Sequence, residues 1–171
     1  ETGISSVAGF ADLPSDVSHE TPQILAMEQL RDLLIIYTDW NVWTLQFVGA
    51  PLMWVRRMVQ GECGLAASGT VINCGDKHYF YGRDGRFYEF NGTDKQPIGK
   101  PIEDYVNKNI AGAVFGFRRL VPDSCVWAFS TDANNRGVPD TAVAFNRVDG
   151  SWTIEDFPFT AARNVDASGI A

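Results

Sequence analysis

A chain of 171 residues and 18.9 kDa is long enough to bury a core of its own, and 45% hydrophobic with 20% charged residues excludes wholesale disorder. The net charge of −7 and pI near 4.7 argue against a sequence-independent grip on nucleic acid, which needs clustered Lys and Arg to displace counterions. No apolar run approaches the roughly 18 residues of a bilayer-spanning helix, so no membrane-spanning segment is expected.

Residues 1–22 mix Ser, Gly, Asp and Pro without periodicity and read as an extended lead-in loop, with Phe10 and Leu13 placed to pin it to a neighbouring surface. The chain begins Glu-Thr-Gly without an initiator Met, so we expect a piece of a longer polypeptide. Four strands are predicted next, Ile24 to Leu30, Leu33 to Thr38, Val42 to Val48 and Met53 to Val59, with breaks at Arg31-Asp32, Asp39 to Asn41 and Ala50-Pro51. The first of these has helix-favouring composition, but its place ahead of a hairpin favours strand. Residues 60–69, QGECGLAASG, form a small-residue link that needs tight turns at Gly61, Gly64 and Gly69.

The clearest signal in the chain is Lys77 to Gly92, KHYFYGRDGRFYEFNG. Two aromatic runs suited to a pleated, partly buried surface flank Asp84-Gly85, the strongest short-range hairpin signal. Thr70 to Asn73 precedes this hairpin and Gln96 to Ile98 follows it, where Pro97 confines the last piece to an edge or to no strand. A helix is predicted at residues 102–109, opening after Pro101. Glu103 and Asp104 complement the positive end of its dipole, and Lys108 the negative end. Ile102, Tyr105, Val106 and Ile110 share one face, which should dock on the preceding sheet. Four more strands follow, Ala113 to Leu120, Cys125 to Thr131, Thr141 to Arg147 and Trp152 to Phe157. Residues 158–171 lose periodicity and read as a tail or a crossover to the next element.

The pattern of run, Asp turn, run occurs at residues 33–49, 77–92 and 142–157. Asp39, Asp84 and Asp149 are 45 and 65 positions apart, and about 40 to 50 residues is what one unit of a propeller or related array occupies. The expected fold is therefore all-β, with antiparallel blade-like sheets of a β-propeller over residues 23–157, about three blades, and one short helix.

Catalytic constellations are sparse. Cys63, Cys74 and Cys125 form no Cys-x-x-Cys pair, and His19 and His78 lie far from metal-ligand spacing. We expect no metal, no other cofactor, no disulfide scaffold and no enzymatic activity. The acidic residues Asp39, Asp84, Asp123, Asp132, Asp140 and Asp149 fall at turns, where an Asp ordinarily caps its own backbone. Asp84-Gly85 and Asp149-Gly150 depart from the Asp-box of sialidase-type propellers, whose Asp and Gly are one residue apart. Asn91-Gly92-Thr93 fits a glycosylation sequon and, more ordinarily, a hairpin exit. The candidate interface or conduit residues are Trp40, Trp54, Arg56, Arg57, Arg118 and Arg119. Trp is enriched at protein interfaces, and the arginine pairs are either solvent-facing charge or the lining of a channel that passes DNA.

Taken together, Tyr37-Thr38-Asp39, Trp43 to Gly49, Glu62-Cys63-Gly64-Leu65, Gly82 to Gly92 and Ile102 to Val106 resemble a family of tailed-phage virion proteins. These are the tail-hub or nozzle proteins of short-tailed phages, also called packaged-DNA stabilisation or tail tubular B-type proteins. The resemblance covers residues 24–157. It implies a propeller-containing subunit that assembles with copies of itself, typically as a hexameric ring, and with other tail or portal-adaptor proteins. Such a subunit is located in the virion tail, where it retains packaged DNA and forms part of the ejection conduit, with non-specific DNA passage and no catalytic residues. Members of that family are several times longer, so the three blades would belong to a larger subunit. The alternative from another class is a propeller-type carbohydrate-active enzyme or lectin, which would gather carboxylates and aromatics on one rim.

Overall fold

The structure, a computed structural model, describes residues 22–51, 53–59, 63–132 and 138–158. They form three four-stranded antiparallel sheets, each a simple meander. The first holds β1 (Ile24–Leu30), β2 (Leu33–Thr38), β3 (Val42–Gly49) and β4 (Met53–Met58). The second holds β5 (Val71–Asn73), β6 (His78–Tyr81), β7 (Phe87–Phe90) and β8 (Lys95–Pro97). A short helix, α1 (Glu103–Asn109), leads to the third, β9 (Val114–Leu120), β10 (Asp123–Phe129), β11 (Thr141–Asn146) and β12 (Trp152–Asp156). The blade-like all-β expectation stands, and β1 is a strand despite its helix-favouring composition. Phe10, Leu13, His19, Gly61, Glu62 and the tail beyond residue 158 lie outside the described residues.

The second sheet is sandwiched between the other two, and strand periodicity decides which side chain meets which neighbour. His78, Phe80, Tyr88 and Phe90 alternate with Tyr79, Tyr81 and Phe87, and all seven are buried. The first set faces the first sheet: Phe80, Tyr88 and Phe90 cluster with Leu30, Ile35, Tyr37 and Val42. The second set packs with Val114, Cys125, Trp127, Phe129, Val143 and Phe145 of the third sheet. There the rings interlock, with centroids 4.8 Å apart for Phe87 and Trp127, 4.9 Å for Phe87 and Trp152, and 5.1 Å for Phe145 and Trp152. These are tilted geometries that aromatic pairs prefer.

The sheets approach one another most through their first strands, β5 against β9 and against β1. Gly116 of β9 permits this approach, because a Cβ there would lie 2.8 Å from Ile72 Cγ1 and 3.0 Å from Trp127 Cδ1. Neighbouring backbone is used as well: Gly116 N–H donates to Gly69 O (2.8 Å) and Trp127 Nε1–H to Thr70 O (2.9 Å). Sheets that converge on their first strands and spread toward β4, β8 and β12 have the layout of consecutive blades.

Several boundaries and roles differ from the sequence reading. Asp149 is not the counterpart of Asp39 and Asp84: those two lie between second and third strands, whereas Asp149 lies between the third and fourth strands of its sheet. The meander therefore puts it on the opposite rim, and the counterpart in the third sheet is the longer connection from Ser130 to Asp140. β10 starts at Asp123, two residues early, because Asp123 pairs with Leu120 across a tight turn. Pro97 sits in β8 opposite Tyr88, at the sheet edge where its missing N–H costs no ladder bond. α1 docks through Ile102 and Val106 into the cluster shared by the second and third sheets, so it wedges between two sheets instead of covering one.

His78 is fully buried between β1 and β2. Its Nε2 lies 3.2 Å from Gln29 O, an acceptor only, so this nitrogen carries the proton. Nδ1 then accepts from the Tyr37 hydroxyl at 2.9 Å. Burial depresses its pKa to about 4. The unfolded chain takes up a proton near pH 6.5 and the folded chain only near pH 4, so this contribution is complete above pH 6.5 and is lost as the pH falls through that window. We predict a loss of roughly 3 kcal/mol between pH 7 and pH 4, measured by urea unfolding, and a flatter pH profile over the same window for His78→Gln.

Candidate functional site

Two turns from different sheets meet at one rim. In the first sheet Thr38 closes its turn through its hydroxyl, which donates to Asn41 O (3.0 Å) and accepts from the N–H groups of Trp40 and Asn41. In the second, Gly85 supplies the positive φ of 77° that the Asp84-Gly85 turn requires. The link Cys63-Gly64-Leu65 threads between these turns. Leu65 N–H donates to Thr38 O (2.9 Å), Ala66 N–H to Tyr81 O (3.1 Å), and Gly64 O accepts from Arg83 N–H (3.0 Å). A Cβ on Gly64 would lie 2.1 Å from the carbonyl carbon of Asp39 and 2.2 Å from Trp40 N, so the backbone contact itself demands glycine.

Asp39, Trp40, Cys63, Gly64, Arg83 and Asp84 line a cleft of ≈ 310 Å³ here. The Arg83 guanidinium stacks 4.1 Å from the Trp40 ring centroid and pairs with Asp39 at 3.4 Å. Asp84 accepts from the Tyr88 hydroxyl, the Cys63 thiol and Arg86 N–H. Burial pushes the Cys63 thiol up to about 11 and, with the adjacent Asp84, pushes the Tyr88 hydroxyl far up as well. Both stay protonated at neutral pH, which makes them donors to a carboxylate and poor nucleophiles. The polar groups of the cleft are thus spent on joining the two turns.

The opposite rim is joined by charge. Arg147, with its side chain 12% exposed, reaches Asp76 of the second sheet at 2.7 Å and Asp123 of its own sheet at 2.8 Å. Asp123 also accepts from Arg118 Nε at 3.0 Å, and Arg31 of the first sheet donates to Asp76 O at 3.0 Å. The hydrogen bond from Arg118 leads the causes that hold the Asp123 carboxyl below its usual range. Acidic turns therefore lie on both rims. Asp84 and Asp149 do cap their own turns, through Arg86 N–H and Ser151 N–H. Asp39, Asp123 and Asp140 bind more distant partners: Gln23 N–H, two arginines and Thr131.

The six residues singled out in the sequence fall in different places. Trp40 is half-buried against Arg83. Arg118 pairs with Asp123, and Arg119 makes a two-pronged bond across its sheet to Glu155, at 3.0 and 2.6 Å. Both are half-buried. Arg56 and Arg57 are exposed on β4, the outermost strand of its sheet, remote from the gathered first strands. Arg57 borders a second cleft of ≈ 260 Å³ with Thr93, Asp94, Lys95 and Gln96. The structure does not bring the two arginine pairs together.

It does bring Trp54 and Arg56 onto one face with partners the sequence reading missed. Register places Trp54 opposite Phe47, Arg56 opposite Leu45 and Met58 opposite Trp43. The Phe47 and Trp54 rings meet edge-on at 5.2 Å. Met27, opposite Ile36, extends this face onto β1. Met27, Phe47, Trp54 and Met58 are between 45% and 59% exposed, although Ile36, Trp43 and Leu45 of the same face are buried. The Trp43 indole N–H is buried there with no hydrogen-bond partner among the described residues. The signal was available in the β3–β4 register, once the hairpin around Ala50-Pro51 is placed.

Among the described residues no group of three or more His, Cys, Asp or Glu is arranged to hold a metal ion, and no helix is long and apolar enough to cross a membrane. No known family of proteins matches this chain, and no curated protein matches its sequence. We predict that Gly64→Ala, which forces side-chain volume into the Asp39–Trp40 backbone, destabilises the fold by about 2 kcal/mol or more. Gly150→Ala, with open space at its Cβ and a φ of 74°, should cost about 1 kcal/mol. Parallel urea melts compare the two.

Proposed function

We propose that this chain is a structural, assembly-forming part of the tail hub or nozzle of a short-tailed phage, used through its surfaces and not through a catalytic site. The observation that carries the assembly half of the proposal is the apolar face of the first sheet, where Met27, Phe47, Trp54 and Met58 are exposed around buried Ile36, Trp43 and Leu45. Contiguous exposed apolar surface of this kind marks an interaction site. The tail-hub half rests on the sequence resemblance. Its Cys63-Gly64-Leu65 link and its two turns are the segments that lock the first two sheets together.

Charge fits a conduit that lets DNA pass. The chain is acidic overall, and Arg118 and Arg119, near the gathered first strands, already engage Asp123 and Glu155. Neither arginine of that pair is then left to hold a phosphate. Retention and release of packaged DNA by a ring of such subunits, hexameric in this proposal, would be mechanical. A glycan-active propeller would instead draw on the rim cleft, but its carboxylates are engaged by Arg83, Tyr88 and Cys63.

Gold-labelled antibody raised against the β3–β4 hairpin tests the location on intact virions by electron microscopy. Label at the tail tip is the expected result, and virions free of the chain by peptide mass spectrometry would sink the proposal. On the assembly side, Trp54→Asp should weaken self-association at least tenfold in sedimentation velocity while leaving the unfolding midpoint within a few degrees, because Trp54 is an exposed side chain.

A further inference from the structure

We infer that Cys74 and Cys125 form an oxidisable dithiol, a modification site at which the second and third sheets become covalently joined. This inference is independent of the proposed function. Cys74 follows β5 and opens a tight turn, its N–H donating to Lys77 O at 3.0 Å. Cys125 lies in β10, opposite Arg118 on one side and Phe145 on the other. The two residues are 51 positions apart in sequence, yet their Sγ atoms are 3.6 Å apart. Both are free thiols. A disulfide has an S–S length of about 2.05 Å, so the bond forms by side-chain closure within an existing contact.

The surroundings give the two sulfurs different roles. Cys74 is 7% exposed and Cys125 is 0% exposed, so a small oxidant meets Cys74 first. The hydrogen bond from Cys125 lowers the Cys74 thiol pKa, burial opposes it, and the Arg147 and Arg118 guanidiniums assist. Burial pushes the Cys125 thiol far up. Cys74 is the attacking thiolate and Cys125 the resolving thiol. Cys63 sits in the other interface with its thiol bonded to Asp84 and takes no part.

Hydrogen peroxide is the oxidant class that fits so narrow an opening. The Cys74 thiolate attacks one peroxide oxygen, the S–O bond forms, the O–O bond breaks, and hydroxide leaves to take up a proton as water. Cys125 sulfur then attacks Cys74 sulfur, the S–S bond forms, and the S–O bond breaks. The departing oxygen leaves as a second water with the Cys125 proton. Two thiols are oxidised to one disulfide, and one peroxide is reduced to two waters.

The test treats the whole folded chain with graded hydrogen peroxide, quenches it, alkylates free thiols under denaturing conditions and maps peptides without reduction. Oxidation of the exposed Met27, Met53 and Met58 reports the dose delivered. The expected product is a Cys74–Cys125 cross-linked peptide with Cys63 alkylated. The unfolding temperature should rise by roughly 10 °C, reversed by dithiothreitol. Cys63→Ser should keep the cross-link, and Cys125→Ser should leave a Cys74 sulfenic acid that dimedone traps. Three alkylated thiols at doses that oxidise the methionines would overturn the inference. So would a cross-link through Cys63, or Cys74 passing to sulfinic acid in the native sequence.

Discussion

The structure depends on one short hairpin being buried on both of its faces. β6 and β7 supply seven buried side chains in strict alternation, and each face is committed to a different neighbour. A one-residue slip of register would exchange the two sets. It would carry His78 away from Tyr37 and Gln29, and Phe87 away from Trp127 and Trp152. The polar partner of His78 and the ring shapes that meet Phe87 therefore specify register as well as contribute burial. The first and third sheets keep their places because the second sheet has no solvent-facing side on these strands.

The rims complete what the sheets begin, by different chemistry. At one, backbone hydrogen bonds and a glycine that admits no side chain press the Cys63-Gly64-Leu65 link between two turns. At the other, Arg147 bridges Asp76 and Asp123 with little exposure to water, where a paired arginine is screened less than a surface pair. Both devices consume polar residues that would otherwise be available to a ligand. The outward face of the first sheet, with Trp54 and Arg56 at its edge, stays available for recognition. That distribution is why the proposed role is one of surfaces and assembly.

The local signals in the sequence were largely sufficient for the elements. Asp84-Gly85, the aromatic runs around it, Pro101 ahead of the helix and Pro97 at an edge each carry their meaning within a few residues, and each element formed where those signals stood. The Asp-Gly signal was blind to strand order, since it marks a tight turn wherever one occurs. Asp149 shares its Asp-Gly pair with Asp84, yet it closes the hairpin between the third and fourth strands of its sheet and Asp84 the one between the second and third. The partners of Arg118 and Arg119 were illegible for a related reason. Asp123 meets Arg118 across a turn, but Glu155 reaches Arg119 from across the sheet, and only the assembled register brings them together. The stacking of Arg83 on Trp40 and the meeting of Cys74 with Cys125 also join separate sheets, and no periodicity within one segment encodes such a contact. The exposed face of the first sheet was half legible, through Trp54 and Arg56, while Met27, Phe47 and Met58 joined it only through strand pairing.

The most direct test of the account is the mass of the native particle that contains this chain, measured by light scattering coupled to size-exclusion chromatography. A closed ring of several copies is the predicted result. A monodisperse monomer across the accessible concentration range would contradict it.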